Sequence, residues 1–239
     1  MIEAQSRMAL WQKNLPHLQT HFRMQGSVLI YERIKRVLDI AFALSLLVLL
    51  SPLMVVIAVA IKLDSSGPVL FVQRRTGRYG KPFNFFKFRS MSNSEDHSAA
   101  HREFARQYAN GDHTDSAASN GVYKPNSNGR MVTRVGKVLR LSSLDELPQL
   151  WNILRGDMSF VGPRAWADYE LENYKDWHYR RLEAMPGLTG LAQISGRSSL
   201  SFDNIIRLDI EYVENRSMGL DLKILLKTIP VVLTGKYAG

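Results

Sequence analysis

The chain has 239 residues, enough for one domain with a hydrophobic core. Hydrophobic residues make up 45% of it and charged residues 22%, which excludes a disordered or low-complexity chain. It has no cysteine, which excludes disulfide scaffolds and thiolate chemistry, and its net charge of +9 favours acidic partners such as nucleic acid, anionic lipid or phosphorylated metabolites.

The amino-terminal part of the chain divides into a polar segment and a long apolar stretch. Residues 1–30 are polar and mixed, and two interpretations stay open for them, an interfacial helix or a disordered segment. Residues 37–61 are 25 consecutive positions with one charged side chain, Asp39. A straight helix of that length extends about 37 Å, which exceeds the roughly 30 Å hydrocarbon core of a bilayer. The stretch begins too late and is too long for a signal peptide, so we predict a membrane helix.

Two features favour a helix that enters and leaves the membrane by the same face. Ser51-Pro52 lies near the centre, where the proline removes the hydrogen bond to the carbonyl of residue 48 and kinks the helix. The Ser51 hydroxyl can bond a freed carbonyl. Basic residues flank the stretch on both sides, and the positive-inside rule keeps both ends in the cytoplasm. These residues are Arg33, Lys35 and Arg36 before it and Lys62, Arg74, Arg75 and Arg78 after it. We therefore predict a kinked re-entrant helix broken at Ser51 and Pro52, with an ordinary kinked transmembrane helix as the alternative.

The rest of the chain has the character of a soluble domain. Residues 69–73 and 83–88 are rich in aromatic and β-branched side chains and flank a turn with Gly and Pro, which predicts a β-hairpin. Residues 92–130 are poor in hydrophobic side chains and are predicted to be a largely exposed insert, with a helical part at 101–108. Helical patterns resume at 135–141, 147–155, 166–184, 202–214 and 220–233. The last of these is predicted to lie either in the membrane interface or in the core.

These elements predict an α+β fold, mostly helical with a small β-hairpin, in a monotopic membrane protein. The predicted organisation is a polar or interfacial segment at 1–32, a re-entrant membrane helix at 33–66 and a cytoplasmic domain at 67–239 that carries the insert 92–130.

The densest polar chemistry surrounds two adjacent acids, Asp145 and Glu146. Ser143 and Glu146 have the spacing of a helix capping box, so a purely structural cap is one interpretation of the acids. Pro148 fits the first helical position, which places both acids just before the helix. Adjacent carboxylates beside Arg140 can instead share Mg²⁺ and a phosphate, and an aspartate can be a nucleophile toward phosphorus. The residues alone do not separate a nucleophile from a ligand.

Two turn-rich stretches each end in an arginine. Gly162-Pro163-Arg164 and residues 186–197, which end at Arg197, combine Gly and Pro turns with a guanidinium. Such turns can present backbone amides and a cation to a phosphate. Gly and Pro clusters are also common in loops with no ligand, so both interpretations stay open.

Six ordered stretches make the sequence recognisable. It resembles the bacterial sugar transferase family, the monotopic phosphoglycosyl transferases that prime glycan assembly on polyprenyl phosphate, from about residue 33 to residue 237. The stretches are KRVLDI (35–40), Ser51-Pro52, GPVLFVQRRTGRYGKPFNFFKFRSM (67–91), SSLDELPQLWNILRGDMSFVGPR (142–164), PGLTGLAQISGR (186–197) and DIEYVENRSMGLDLKIL (209–225). The large N-terminal membrane domain of the long family members is not seen, so we expect the compact form.

The resemblance implies a two-step transfer. Asp145 and Glu146 match the catalytic Asp-Glu pair of the family, with Mg²⁺ as the required cofactor and both acids as its ligands. Asp145 would attack the β-phosphate of a UDP-sugar and release UMP, and polyprenyl phosphate would then take the phosphosugar from the aspartate. Glu146 would help to place Mg²⁺ or the acceptor phosphate. Ser51-Pro52 matches the pair that breaks the re-entrant helix of the family.

The resemblance also implies which residues bind the substrates. They are Arg140, Pro163, Arg164, Arg197, Lys87 and Arg89. Pro163 and Arg164 match a Pro-Arg-Pro motif that contacts the nucleotide, although Ala165 stands here in place of its second proline. The implied location is the cytoplasmic face of the bacterial inner membrane. Homo-oligomers are possible, and the sugar is not identified.

Two other functions compete with the enzyme on the residues alone. A non-catalytic membrane adaptor would use Asp145 and Glu146 only as helix caps. A nucleic-acid-binding protein would explain the net charge of +9, but its basic residues gather on no recognisable recognition helix, and a long apolar stretch has no place in it. We predict no nucleic-acid partner.

Overall fold

The structure is a computed structural model that describes residues 6–13, 26–92, 105–108, 132–196 and 200–233. Its helices are α1 (6–13), α2 (Gly26–Asp64), α3 (105–108), α4 (Arg134–Ser142), α5 (Gln149–Arg155), α6 (Leu191–Ser195), α7 (Phe202–Asn215) and α8 (Met218–Leu233). Its strands are β1 (Leu70–Thr76), β2 (Pro82–Phe88), β3 (Ser159–Val161), β4 (Trp166–Ala167) and β5 (Gly187–Thr189). Short 3₁₀ segments cover Arg78–Gly80, Leu144–Glu146, Asp168–Asn173 and Asp176–Glu183. The described residues therefore form a mostly helical α+β fold with little sheet, as predicted.

The apolar stretch lies within α2, which is helical for 39 residues and contains Pro52. In the part of the chain that the structure describes, α2 is the one helix long and apolar enough to cross a membrane. The Ser51 hydroxyl donates to the Val48 carbonyl at 2.8 Å, and this is the carbonyl that Pro52 leaves without its helical donor. This predicted contact is confirmed, whereas the re-entrant course of the helix stays a prediction.

The amino-terminal part of α2 packs against the soluble domain. The Arg36 guanidinium donates to the Ile153 and Leu154 carbonyls at 2.5 and 2.8 Å, and so satisfies carbonyls at the carboxyl end of α5. The Asp39 carboxylate accepts a hydrogen bond from the Phe160 amide at 3.2 Å. The single charge in the apolar stretch is thus buried against the domain.

The carboxyl-terminal part of α2, beyond Pro52, packs against the same domain. Ile57 and Ile61 are buried in a cluster with residues of β2 and α4. The Asp64 carboxylate accepts a hydrogen bond from the Val135 amide at 3.0 Å, which satisfies a donor in the first turn of α4. Both halves of α2 are therefore tied to one domain.

The outward face of α2 is apolar and exposed. Val48, Leu49 and Val56 are 68%, 72% and 64% exposed. An exposed apolar surface of this extent marks an interaction site, and its position on the membrane-length helix favours lipid. One face of α2 thus contacts protein while the other is available to a bilayer.

The predicted hairpin is confirmed. β1 pairs with β2 in a register that sets Phe71 opposite Lys87 and Arg75 opposite Phe83. β4 pairs with the end of β1 to complete a three-stranded antiparallel sheet, and β3 and β5 form a separate parallel pair. Because facing residues of an antiparallel pair share a side of the sheet, Phe71, Arg75 and Lys87 lie on the same side.

The helix predicted at residues 166–184 is not formed. This stretch instead contains β4 and two 3₁₀ segments, and the extended residues Tyr174 and Lys175 separate those two segments. The extended backbone accompanies burial of the Tyr174 ring in an aromatic core with Trp166 and Phe202, at centroid distances of 6.5 and 6.1 Å. Burial of these rings outweighs the local helical pattern.

Parts of the polar N-terminal segment and of the insert belong to the core of the domain. Trp11 of α1 stacks on Tyr179 at 5.9 Å, a contact that neither sequence interpretation foresaw. The helical part predicted at 101–108 is seen at 105–108, and there the insert is buried rather than exposed, since Tyr108 packs on Phe202 at 6.1 Å. Residues 93–104 and 109–131 of the insert lie outside the described residues.

Candidate active site

The adjacent acids lie in a tight turn between two helices. Ser143 ends α4 with a φ of 56°, and its amide donates to the Arg140 carbonyl at 3.4 Å. Asp145 and Glu146 occupy the 3₁₀ turn that follows, and α5 begins at Gln149. The prediction that both acids precede the helix is confirmed. The capping box is not formed, because Ser143 in the left-handed conformation makes no side-chain cap.

One lysine of the hairpin contacts both carboxylates. Lys87 Nζ donates to Glu146 Oε1 at 2.7 Å and lies 3.5 Å from Asp145 Oδ2. Asp145 is 7% exposed, and this burial raises the pKa of its carboxyl, whereas the charge of Lys87 lowers that pKa and the charge of Glu146 raises it. The two acids therefore converge on a point that a single cation can occupy, and the lysine favours the ionised aspartate.

Arg75 joins the site from the same side of the sheet as Lys87. Its guanidinium lies 3.9 Å from the centre of the Phe85 ring and donates to the Ala165 carbonyl at 2.5 Å. Burial, assisted by the nearby charge of Arg164, lowers the pKa of Arg75 to about 10, so the side chain is a cation at neutral pH. Arg75 is not among the predicted substrate-binding residues. The alternation along β1 would identify it, but only once the pairing with β2 is known.

Two of the predicted phosphate-binding arginines act on this cluster. Arg140 lies in the last turn of α4, and its charge lowers the pKa of Asp145. The charge of Arg164 lowers the pKa of Arg75, which places these two cations near each other. Lys87 and Arg140 thus act on Asp145, and Arg75 lies near Glu146, so positive charge lies around the two acids. Such an arrangement stabilises the charge that spreads over a phosphoryl group during its transfer.

The main chain of Arg164 is held by a buried ion pair. Arg181 Nη2 donates to the Arg164 carbonyl at 2.5 Å, and Arg181 Nε and Nη2 donate to Asp209 Oδ2 at 2.9 and 2.5 Å. The side chains of Arg181 and Asp209 are 1% and 0% exposed. Removal of either partner would leave a buried charge unpaired. The pair therefore holds the main chain of Arg164 in place.

The two turn-rich stretches pack directly on each other. The Gly162 amide donates to the Thr189 carbonyl at 2.9 Å, and the Gly187 amide donates to the Pro163 carbonyl at 2.8 Å. A Cβ atom at Gly162 or at Gly187 would lie 2.1 Å from main-chain atoms of the facing segment. Close packing thus explains both glycines. Their two amides are used inside the protein and are not presented to a phosphate, and Pro163 is buried beside them.

The other predicted substrate-binding residues lie elsewhere. Arg89 is 4% exposed and donates to the Ser65 and Ser66 carbonyls at 2.6 and 2.7 Å, so its guanidinium secures the end of α2. Its predicted contact with substrate receives no support from this position. Arg197 lies outside the described residues. No group of three or more His, Asp or Glu side chains that could hold a metal occurs in the described ranges.

Comparison with known proteins gives consistent matches. A model of the bacterial sugar transferase family matches residues 30–235. The UDP-glucose:undecaprenyl-phosphate glucose-1-phosphate transferase of Caulobacter vibrioides is 42% identical over 84% of this chain and 70% of that protein. The exopolysaccharide production protein ExoY of Rhizobium meliloti is 42% identical over 83% of this chain and 84% of that protein. The undecaprenyl-phosphate galactose phosphotransferase of Salmonella typhimurium is 40% identical over 84% of this chain, which spans only 40% of that protein.

The matched range contains the elements that build the site. It includes almost all of α2, the hairpin with Lys87, the two acids and the buried pair behind Arg164. A family match over most of the chain agrees with the resemblance found in the six motif stretches. The chain belongs to the bacterial sugar transferase family and is a transferase.

Proposed function

We propose that the protein transfers a sugar-1-phosphate from a UDP-sugar to polyprenyl phosphate and releases UMP, as the first membrane step in the assembly of a bacterial glycan. The observation that carries the proposal is the pair of Asp145 and Glu146, joined by Lys87 and surrounded by arginines, in a domain that lies against an apolar helix. The relatives from Caulobacter and Salmonella are named for undecaprenyl phosphate, which supports a polyprenyl phosphate as acceptor.

The first step forms a covalent bond to the enzyme. An Oδ atom of ionised Asp145 attacks the β-phosphorus of the UDP-sugar, and the bond from that phosphorus to the bridging oxygen breaks. UMP leaves with the bridging oxygen and its electron pair. The contact of Lys87 with the carboxylate supports the ionised nucleophile that this step needs.

The second step regenerates the enzyme. A phosphate oxygen of the polyprenyl phosphate attacks the phosphorus of the aspartyl phosphosugar, and the bond from phosphorus to the Asp145 oxygen breaks. The products are polyprenyl-diphosphate-sugar and the free carboxylate. Arg75 and Arg164 offset the negative charge on the phosphoryl oxygens in both steps, because Arg75 lies near Glu146 and Arg164 lies near Arg75.

The residues present fit the Mg²⁺ that the resemblance implies. Asp145 and Glu146 already converge on one ammonium group, so a single cation can contact both carboxylates. Mg²⁺ in phosphoryl transferases uses one or two protein carboxylates together with substrate phosphates. Bound there by Asp145 and Glu146, it would neutralise charge on the transferred phosphoryl group.

We further propose that α2 is re-entrant and that the domain lies on the cytoplasmic face of the bacterial inner membrane. Contacts at Asp39 and at Asp64 join both halves of α2 to the same domain, which supports a helix whose two ends lie on one side. The basic residues at both ends of the apolar stretch support a cytoplasmic location for both ends of α2.

α8 has an exposed apolar stripe that supports a second contact with the membrane interface. Its members are Leu222, Leu225, Leu226 and Ile229.

The experiment that tests the mechanism omits the acceptor. Purified enzyme, Mg²⁺ and a panel of UDP-sugars are expected to give up to one UMP per active site with the right donor, and the protein mass should rise by one phosphosugar on the peptide that holds Asp145. Asp145→Asn should abolish both signals while the fold is retained, because the amide has nearly the same shape. Enzyme that turns over with lipid present but shows neither signal without it would refute the covalent step. Absence of turnover with every UDP-sugar and polyprenyl phosphate would refute the proposed function itself.

A further inference from the structure

A second charged cavity lies apart from the two acids, at the amino-terminal end of α2. Its volume is about 710 Å³, and it is bounded by α2, the carboxyl end of α5, β3 and the end of α7. Positive charge predominates in its lining. The basic residues are Arg33, Lys35, Arg36, Arg78 and Arg216, and the acidic residues are Glu32 and Asp39. The mechanism proposed above uses none of them.

Ion pairs neutralise only part of this positive charge. Glu32 is shared between Arg78, at 2.7 Å, and Arg216, at 3.5 Å. Lys35 pairs with Asp221 at 2.5 Å. Glu32 is the one acid paired with these two arginines, and the charge of Glu183 also lies near both, so the net positive charge of the cavity rests mainly on Arg33 and Arg36.

Arg33 and Arg36 add charge that no carboxylate of the described residues balances within 4.0 Å. Arg36 donates to two carbonyls of α5, which are dipoles without formal charge. Arg33 is exposed at the edge of the cavity. Two arginines of this kind favour an anion that can accept several hydrogen bonds, and a phosphate is the common biological example.

The position of the cavity along α2 indicates where such a phosphate would come from. The apolar stretch begins at Val37, directly after Arg36, so the cavity lies at the depth at which α2 would meet lipid headgroups. Its rim includes Leu29 and Val37, which are 60% and 66% exposed. From this rim the exposed apolar face of α2 continues along Leu44 and Val48, which acyl chains could cover.

The cavity is distinct from the site of the acids. The lining of the cavity includes Gly156, which lies just beyond the carboxyl end of α5. Asp145 and Glu146, in contrast, precede the amino end of that helix. Seven helical residues separate the two places by about 10 Å. Neither acid lines the cavity, and Lys87 does not line it either. A phosphate bound there is therefore not positioned for attack by Asp145.

We propose that this cavity binds the phosphate headgroup of an anionic glycerophospholipid of the surrounding bilayer. The bound lipid holds the amino-terminal part of α2 at headgroup depth, with its acyl chains along the exposed face of that helix. This binding site goes beyond the transfer reaction and does not depend on the proposed mechanism.

The test measures lipid retention by native mass spectrometry of the full chain in detergent, with phosphatidylglycerol or phosphatidylcholine added. The wild type should retain one phosphatidylglycerol in preference to phosphatidylcholine. Arg33→Gln and Arg36→Gln should each weaken retention about fivefold, the effect of one basic residue near an anionic lipid surface. Lys62→Gln is the matched control, because Lys62 flanks the other end of the apolar stretch and lies outside the cavity, so retention should not change. Met185→Trp, which fills the cavity without a change of charge, should also reduce retention.

Four outcomes would overturn the proposal. Equal retention of both lipids would mean that the cavity does not select an anionic headgroup, and an equal loss in Lys62→Gln would mean that only the general positive charge of the protein acts. Displacement by millimolar inorganic phosphate would indicate a site for free phosphate, and one-for-one displacement by an equimolar polyprenyl phosphate would assign the cavity to the acceptor. Circular dichroism checks that each variant is folded. Should Arg36→Gln unfold, lipid retention by the two single variants Arg33→Gln and Met185→Trp tests the proposal. The readout is binding, so a failed transfer reaction leaves it unaffected.

Discussion

Lys87 contacts both acids and Arg75 lies near Glu146, because both side chains lie on one side of the β1–β2 hairpin. Arg74, the neighbour of Arg75 in sequence, points to the other side, where it pairs with Asp168 at 3.1 Å and is 68% exposed. Two adjacent arginines therefore have different environments. One is enclosed beside the acids, and the other is solvated.

Arg75→Gln should slow UMP release by about 100-fold or more, because loss of a preorganised cation at a transition state has effects of this size. Arg74→Gln should change the rate by less than about twofold, since exposed ion pairs contribute little. The measurement is the initial rate of UMP release with saturating substrates, and thermal unfolding of both variants serves as the control for folding. Equal rates in the two variants would remove Arg75 from the site.

His178 is a second residue with a testable consequence. Its side chain is fully buried, its Nδ1 accepts from the Lys175 amide at 3.1 Å, and its Nε2 lies 3.4 Å from Asp203 Oδ1. Burial lowers the pKa of His178 from 6.5 to about 4, although Asp203 acts in the opposite direction. The unfolded chain therefore binds more protons than the folded chain between these two pH values.

This depressed pKa predicts a loss of stability in acid. Neutral His178 should contribute about 3 kcal/mol to the free energy of unfolding above about pH 6.5. This contribution should decrease as the pH falls toward 4 and be lost below that value. The check is denaturant unfolding from pH 7 to pH 4 for the wild type and for His178→Gln, which does not titrate. The difference in unfolding free energy between the two proteins should change by this amount. A difference that stays constant with pH would show that His178 does not titrate as predicted.

Among the helices and strands, α1 is the one whose role in the structure differs most from the interpretations of the sequence. Trp11 stacks on Tyr179, Arg7 Nη1 donates to the Tyr174 carbonyl at 3.0 Å, and Gln12 Nε2 donates to the Tyr79 carbonyl at 2.8 Å. These contacts join the Arg78–Gly80 turn of the hairpin to the 3₁₀ segments. We therefore interpret α1 as part of the folded domain.

Trp11→Ala should lower the free energy of unfolding by about 2 kcal/mol, less than for a fully buried tryptophan because the ring is partly exposed. Leu10→Ala is the matched control, since Leu10 is 60% exposed and its loss should change stability by less than about 0.5 kcal/mol. Chemical denaturation followed by circular dichroism measures both. Equal stability of Trp11→Ala and the wild type would leave α1 outside the cooperative domain.

The topology of the protein depends on the side of the membrane on which each end of α2 lies. The chain has no cysteine, so a single introduced thiol reports one position. Lys13→Cys and Ser66→Cys, before and after α2, should both resist a membrane-impermeant thiol reagent in intact cells and react in permeabilised cells. The reason is that contacts on both sides of Pro52 join α2 to one domain.

Labelling of one position but not the other in intact cells would establish a helix that crosses the membrane. Pro52→Ala provides the contrast, because a restored amide at residue 52 lets the helix run straight. In that background a fraction of the Lys13→Cys molecules should become accessible, while Ser66→Cys stays protected. Unchanged protection in Pro52→Ala would mean that the contacts with the domain, and not the proline, decide the course of α2.

Local pattern was sufficient for several parts of the molecule. The apolar stretch, the hairpin and the helices α4, α5, α7 and α8 could be predicted from the amino-acid sequence, because hydrophobic periodicity and turn residues act between near neighbours. The position of Asp145 and Glu146 before α5 followed from Pro148. The family followed from six ordered motifs.

Contacts between distant segments determine the roles of the basic and aromatic residues. Arg75 and Arg74 differ because strand pairing assigns them to opposite sides, and Arg89 secures the end of α2 because the chain brings it beside Ser65. Tyr108 is buried, and residues 166–184 are not a helix, because an aromatic core assembled from distant segments encloses the Tyr108 and Tyr174 rings. These outcomes depend on contacts between residues far apart in sequence, whose energies no local pattern contains.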